Sequence, residues 1–537
     1  MTSSAAPAPW IAILARHASR RGARVSFLAA TLVVAAVLLP PVYLVIRASS
    51  QGATIVAVLT APNTLLALGR TLLLTTTVTG ACIAVAVPLG WLTMRTDLPG
   101  ARLWMPLLAL PLAIPSFVGG FVMISALGPG GMVQDLLEPF GVQRLPSIYG
   151  FWGAWIVLSA LNYPFVYLQV CAGLRREDPA LAEAARSLGH NAWTTFFRVQ
   201  LPLLRPAISA GAILVALYVL SEFGAVSMMR YDTLTPLVYI QYTTQFDRAG
   251  AAVLGLPLIV LAALLLAIDG ATRGGARYYA RGQRTSAPRV PLGRWRWAAY
   301  ALCVPVLVLS TGVPVAVIAY WLVRGLVQGA PTGLSAAAVV NTMQAAGLAA
   351  VVTGLAALPV AWVSVRHRGR VSALLERAAY AGQALPAIMV ALSLVFFVAR
   401  YLAPIYQTLA VLVFAYAVRF LPEALGATRT ALLQVNPNGE EAARSLGASA
   451  RRTFFEVTAP QLVPSVSAGM LLVFLSVVKE LPVTLLLSPI GFDTFATTIW
   501  AASSEAFFAK AALPSLVLLL LSAIAVLVML RREGHAS

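Results

Sequence analysis

The chain has 537 residues, 59% of them apolar and 11% charged, with a mean hydropathy of +0.83. Soluble domains carry about 25% charged residues, so this composition excludes a soluble enzyme or binding module and indicates a polytopic membrane protein. The net charge of +19, nearly all from Arg, suits basic loops at the cytoplasmic face of a membrane and argues against nucleic-acid binding.

Residues 1–25 carry Arg16, Arg20, Arg21 and Arg24 ahead of an apolar run at about 26–46. A signal peptide has an apolar core of only about 7–15 residues and a small-residue cleavage site. This run is long enough to cross a bilayer, so we read a retained helix behind a cytoplasmic tail. Further runs fall at about 71–93, 103–127, 148–172, 206–229 and 249–269, which closes a first repeat at 26–270. A basic linker at 271–296 contains Gly, Arg and Pro, and it is most simply a solvated anchor to anionic headgroups. Runs at about 297–323, 342–365, 378–399, 404–428, 464–488 and 510–530 form a second repeat at 297–530, followed by a tail at 531–537. Apolar runs of this length mean helices, so twelve spans are predicted, six per repeat.

Charge distribution orients them. With the N-terminus inside, the inner loops hold Arg95 and Arg102; Arg175, Arg176, Arg186, Arg198 and Arg205; Arg273 to Arg294 in the linker; Arg366, Arg368, Arg370 and Arg377; and Arg444, Arg451 and Arg452. The outer loops carry Asp135, Glu138, Asp232, Asp247, Asp493 and Glu505. Basic residues concentrate on the cytoplasmic side of membrane proteins, which predicts parallel repeats with both termini in the cytoplasm. Cys82, Cys171 and Cys303 lie in apolar runs with no metal or disulfide spacing. The histidines His17, His190, His367 and His535 fall in tails or loops.

One stretch occurs twice. Glu183-Ala184-Ala185-Arg186-Ser187-Leu188-Gly189 is repeated without change as Glu441-Ala442-Ala443-Arg444-Ser445-Leu446-Gly447, 258 residues later. The same offset relates Phe196-Phe197 to Phe454-Phe455, Pro202 to Pro460, Pro206 to Pro464, and Ser209-Ala210-Gly211 to Ser467-Ala468-Gly469. Earlier in each half, Thr71, Pro88, Trp91 and Pro115 match Thr342, Pro359, Trp362 and Pro386 at an offset of 271. A match of this length at a fixed offset marks a duplicated unit. Within it, Asp178 or Asn436 as N-cap, Pro179 or Pro437 at the first helical position, and Gly189 or Gly447 as terminator predict a short helix, present in both halves.

Glu-Ala-Ala, a Gly three residues after the Arg and a Pro some thirteen further on resemble the EAA coupling loop of permeases of ATP-binding cassette importers, the type I, MetI-like group. Leu-Pro, usual at the end of that loop, is kept at Leu201-Pro202 and becomes Ala459-Pro460 in the second half. The resemblance spans the whole chain. It implies an all-α fold whose cytoplasmic loop helices dock on two ATPase subunits, through Glu183, Ala184, Ala185, Arg186 and Gly189 and through Glu441, Ala442, Ala443, Arg444 and Gly447. It also implies an extracytoplasmic substrate-binding protein and a bacterial inner-membrane location. The chain has no Gly-x-x-x-x-Gly-Lys-Ser/Thr loop for ATP phosphates. It is therefore expected to be a transport permease and not an enzyme, with no cofactor of its own and with ATP and Mg on the partner ATPase.

Glu222 and Glu480 also share the offset of 258, each 16 residues past the Pro of its span and so roughly 24 Å along the helix. Ionisable residues at membrane depth are functional candidates, set here against a carboxyl simply hydrogen-bonded between helices. Their flanks, Ser221 to Ser227 and Lys479 to Leu487, together with Gln241-Tyr242, Phe246 to Ala249 and Gly491 to Thr494, resemble ferric iron permeases. Thiamine permeases share the length and layout. Ferric iron prefers hard oxygen ligands, so Glu222, Glu480, Tyr239, Tyr242, Asp232 and Asp493 are the candidates for the translocation path; ordinary interfacial anchoring is the competing explanation for the tyrosines. No set of residues has metal-site spacing. An ATP-independent secondary transporter with two parallel halves is the rival class, though it has no need of a duplicated capped helix.

Overall fold

The computed structural model describes residues 9–50, 52, 54–273, 289–367 and 369–535. The linker arginines Arg277, Arg281 and Arg284, and also Arg368, lie outside the described residues. Regular structure among the described residues is helical, apart from one isolated bridge between Thr96 and Val290. The main helices of the first half are α1 (Pro9–Ser49), α2 (Pro62–Arg95), α3 (Ser116–Leu127), α4 (Phe151–Arg176), α5 (Pro179–Ser187), α6 (Leu201–Leu220) and α7 (Arg248–Arg273). The second half supplies α8 (Gly293–Val327, a span with a π-turn inside it), α9 (Ala336–Arg366), α10 (Ala387–Tyr401), α11 (Leu409–Gln434), α12 (Pro437–Ser445), α13 (Ala459–Val478) and α14 (Phe508–His535).

Eleven helices among the described residues are long and apolar enough to cross a membrane. The run expected at 378–399 is not one of them. There the chain forms Arg370–Ala379, a single turn Ala381–Ala384, and then the 15-residue α10. The break falls at Leu385-Pro386, where Leu385 is extended with ψ of 129°. Proline lacks an N–H and disfavours helical geometry in the residue before it. Its counterpart at 103–127 is broken in the same way. Helix Ala101–Ala109 and a 3-10 turn end at Ile114, which has ψ of 114°, and α3 starts after Pro115. The duplicated Pro115 and Pro386 thus divide two runs that were expected to be continuous.

The chain forms two compact units, and they do not coincide with the sequence repeats. One contains residues 1–44 and 340–492, and the other 45–339 and 493–537. In the first unit, α1 of the first half packs on the second half. Ser393 donates to the Pro40 carbonyl at 2.7 Å, the Tyr43 and Phe397 rings meet edge-on at 5.3 Å, and Phe27 lies 5.3 Å from His367. In the second unit, α8 and α14 of the second half pack beside α3, with Phe508 5.8 Å from Phe121 and 5.2 Å from Trp321. Each half therefore gives its first span to the unit built on the other. Partner choice in a membrane depends on close packing, since lipid is as apolar as Leu. The repeated Gly211 and Gly469 show this: a Cβ there would stand 2.7 Å from Val166 Cα and 3.3 Å from Ala424 Cα, which are themselves matched positions.

Candidate coupling helices and membrane-embedded acids

The duplicated heptapeptides form two short helices of the same construction. Asp178 accepts from the Ala180 N–H at 2.9 Å, and Asn436 accepts from the Asn438 N–H at 3.0 Å. Each helix ends in a left-handed Gly, with φ of 87° at Gly189 and 88° at Gly447. Past each end, Gly189 donates to Arg186 and His190 to Ala185, while Gly447 donates to Arg444 and Ala448 to Ala443. These paired bonds are the Schellman arrangement, which satisfies the last helical carbonyls. Ala185 is buried and Ala443 half-buried, whereas Glu183, Ala184, Glu441 and Ala442 are exposed. Arg186 is half-buried and Arg444 exposed, and Arg444 reaches Glu440 at 3.9 Å. The residue before each Gly is apolar and stands in the open: Leu188 is 78% and Leu446 90% exposed.

The return legs also match. A one-turn helix, Ala192–Thr195 or Ala450–Thr453, leads into a π-turn, Phe196–Gln200 or Phe454–Thr458, and on into α6 or α13. Trp91 meets Phe196 and Trp362 meets Phe454, both at 5.5 Å and in a T-shaped arrangement. Such pairs contribute about 0.5–1.5 kcal/mol beyond area burial. They account physically for the recurrence of Trp91 with Trp362 and of the Phe-Phe pairs.

Glu222 and Glu480 are buried, but they do not lie on continuous helices reaching 229 and 488 as expected. α6 stops at Leu220 and α13 at Val478, and each Glu sits in the break beyond. Glu222 Oε1 accepts from the Ala225 N–H at 2.9 Å, at the start of helix Gly224–Met228, and from Ser116 Oγ at 2.8 Å. The Thr235 hydroxyl donates to the Glu222 carbonyl. Glu480 Oε1 accepts from the Val483 N–H at 3.4 Å, at the start of helix Pro482–Leu487. A carboxylate taking N–H groups of a new helix favours ending the old one. Phe223-Gly224 and Leu481-Pro482 were the available signals.

The two acids differ in their company. Glu480 Oε2 lies 3.3 Å from Arg419 Nε, and Arg419 also donates to the Leu385 carbonyl at 3.2 Å. Glu423, one turn along from Arg419, accepts from Ser476 at 2.8 Å, and Lys479 interacts electrostatically with both Glu423 and Glu480. The matching positions in the first half are Leu161 for Arg419, Phe165 for Glu423, Tyr218 for Ser476 and Ser221 for Lys479. Among the described residues, no ion pair reaches Glu222. The charged group around Glu480 was missed in the sequence, although Arg419 and Glu423 at spacing four in an apolar run announce it.

The remaining path candidates have surroundings of their own. Asp232 is exposed and pairs with Arg70 at 3.2 Å. Half-buried Tyr239 packs on Phe223 at 4.9 Å, and Phe223 in turn meets Trp500 at 5.4 Å. Tyr242 is half-buried, and Asp493 is exposed just before Thr494, the N-cap of helix Phe495–Ser504. Asp247 caps α7 by accepting from Gly250 at 2.9 Å and Ala249 at 3.1 Å, and these N–H groups, with Gln241, hold its carboxyl below the usual range. Among the described residues, no group of three or more His, Cys, Asp or Glu is placed to hold a metal ion.

Two segments of the chain, 86–272 and 351–532, match the family described as binding-protein-dependent transport system inner membrane component. The chain belongs to this family and carries its domain twice. A relative from Haemophilus influenzae, Fe(3+)-transport system permease protein FbpB 2, is 33% identical over 495 residues, which is 91% of this chain and 94% of the relative. The ferric transport system permease protein FbpB of Actinobacillus pleuropneumoniae is 26% identical over 392 residues, covering 68% of this chain and 56% of that protein. The molybdenum transport system permease protein ModB of Escherichia coli strain K12 is 30% identical over 211 residues, covering 37% of this chain and 91% of that protein.

Proposed function

We propose that the chain is the fused permease of an ATP-driven importer of ferric iron. The observation that carries this reading is the duplicated capped helix with an exposed Leu at its end, together with similarity across 91% of the chain to a protein named as an Fe(3+)-transport permease. In this reading, residues 26–270 and 297–530 are parallel repeats of six spans, with α10 completing the second set. The tails 1–25 and 531–537 and the linker 271–296 lie in the cytoplasm. The helices around Glu183 and Glu441 dock on two ATPase subunits that bind ATP and Mg, and the chain itself holds no cofactor. A binding protein delivers iron from outside, and Glu222, Glu480, Asp232, Asp493, Tyr239 and Tyr242 line or flank its way through. ATP binding drives the switch because the ATPase dimer prefers one permease state over the other.

The test is coexpression with a candidate ATPase and binding protein, then iron uptake into vesicles loaded with ATP. Copurification of the ATPase and ATP-dependent iron uptake are expected. Iron uptake driven by a proton or sodium gradient without ATP overturns the class, and ATP-driven uptake of thiamine or molybdate without iron overturns the substrate. Topology gives a separate check. Cysteines introduced as Ala192→Cys and Ala450→Cys, beside the two loop helices, should react with a membrane-impermeant maleimide only in inverted vesicles. Labelling of either in intact cells sinks the parallel arrangement.

A further inference from the structure

The second spans of the two halves, α2 and α9, end in matched arginines, Arg95 and Arg366. Each holds an acid at the repeated loop, yet the acids are not matched. Arg95 Nη2 lies 2.7 Å from Glu177 Oε2 and donates to the Leu174 carbonyl at 2.9 Å. Glu177 is the residue between α4 and the N-cap Asp178. Arg366 Nη2 lies 2.6 Å from Glu440 Oε1, which also accepts from Thr458 at 3.0 Å. Glu440 is inside α12 itself. Val435 matches Glu177, and Ala182 matches Glu440. The side chains are 9% and 3% exposed in the first pair and 16% and 8% in the second.

A buried ion pair is costly unless its geometry is good and further hydrogen bonds satisfy its atoms. Each pair has one further bond in support, Arg95 to the Leu174 carbonyl and Thr458 to Glu440, while Arg95 Nε, Glu177 Oε1 and Arg366 Nε are buried without a hydrogen-bond partner. Both halves thus keep the link at some cost, and what they share is the link and not the acid that makes it. The link has a second point. Trp91 and Trp362 precede the arginines by four residues, on the same helix face, and they pack on Phe196 and Phe454 of the return legs. The Arg366 guanidinium also lies over the Trp362 ring at 5.7 Å.

We propose that Arg95–Glu177 and Arg366–Glu440 are latches that make each loop helix move with the second span of its half, so that displacement by the ATPase reaches α2 and α9 directly and not only through the spans α4 and α11 that run into the loops. The proposal rests on the coupling role assigned to the loop helices. Arg95, Arg366, Glu177 and Glu440 are positioning residues, and the second latch grips the loop helix more directly because its acid is part of that helix.

The experiment has two arms, chosen to separate this inference from the coupling role itself. The first is hydrogen exchange of residues 440–448 in purified permease without ATPase. Glu440→Ala should raise exchange there by about tenfold, and unchanged exchange overturns the latch whatever the ATPase does. The second measures ATP hydrolysis and iron uptake on the same reconstituted complex. Glu440→Ala should retain the ATPase and keep hydrolysis within about twofold while uptake falls by about tenfold. Glu440→Ala/Val435→Glu, which moves the acid to its first-half position, should restore at least half of the uptake, as should the exchange Arg366→Glu/Glu440→Arg. If Glu440→Ala yields no protein, Glu440→Gln and Arg366→Lys take its place, with smaller effects of the same sign. Uptake that falls only in step with ATPase retention, or no recovery in either double variant, overturns the mechanical role. Failure of the unmodified permease to retain an ATPase defeats the coupling role alone and leaves the exchange arm to judge the latch.

Discussion

A permease carrying both Gly189→Val and Gly447→Val is expected to lose ATPase retention and uptake together. The cause is backbone conformation and not crowding. φ is 87° and 88°, and a Cβ at either site meets nothing within 4 Å. The left-handed region costs an ordinary L residue about 1–2 kcal/mol, and a β-branched residue more. Relief comes by letting the helix run on, which breaks the bonds from Gly189 to Arg186 and from His190 to Ala185, and redirects the return leg into α6. Asn tolerates this region better, so Gly→Asn at both sites should keep most function and Gly→Ala should fall between. By contrast, Glu183→Gln and Glu441→Gln leave the fold of the loop unchanged and should be milder than Val. Copurified ATPase and vesicle uptake are the measurements. Full activity in the double Val variant removes the capped helices from the mechanism.

Glu480→Gln is expected to cost more than Glu222→Gln, although the two positions match in sequence. Removing one partner of a buried ion pair costs about 3–5 kcal/mol. Arg419 keeps 21% side-chain exposure and its bond to Leu385, which lowers the figure to about 2–3 kcal/mol. Glu480→Gln should therefore lower yield and thermal stability in detergent, and Arg419→Gln added to it should restore both by leaving Glu423 and Lys479 balanced. At position 222, a Gln amide oxygen can still accept from Ala225 and Ser116, so Glu222→Gln should express and assemble normally. On the proposed path role, its effect falls on transport. A carboxylate in a low-dielectric path concentrates cations, so uptake should fall and lose part of its salt dependence. Equal stability of the two variants contradicts the charge asymmetry. Unchanged uptake and salt response in Glu222→Gln/Glu480→Gln, measured once yields are matched, takes both acids off the path.

The membrane class, the duplication and the loop helices were legible in the sequence because each rests on local information: apolar runs, a fixed offset, and caps at Asp178, Asn436, Gly189 and Gly447. The broken spans were half legible. Pro115 and Pro386 stand out as a repeat, but an apolar run with a Pro inside it can be a kinked helix or two half-helices, and hydropathy does not distinguish them. The environment of the two glutamates was legible only in part: Arg419 and Glu423 stand out in their apolar run, but that Arg419 meets Glu480 and Ser116 meets Glu222 depends on how the helices pack. Glu177 and Glu440 escaped for a related reason. They serve matched arginines from unmatched positions, so a search for residues at one offset passes over both. The assignment of α1 to the unit built on the second half left no trace in hydropathy, because every face of a lipid-facing helix is apolar.

The placement of α1 also sets an order for biosynthesis. The unit containing α1 is completed by residues 340–492, so α1 enters the bilayer long before its packing partners exist. At about 5–20 residues per second, the intervening ~300 residues occupy the ribosome for about 15–60 s. During that interval Ser393 has not yet reached Pro40, nor Phe397 Tyr43, and the buried flank of α1 faces lipid. A chain stopped in the linker should therefore leave α1 without a tertiary home, open to membrane proteases, and the second half supplied as a separate polypeptide should protect it.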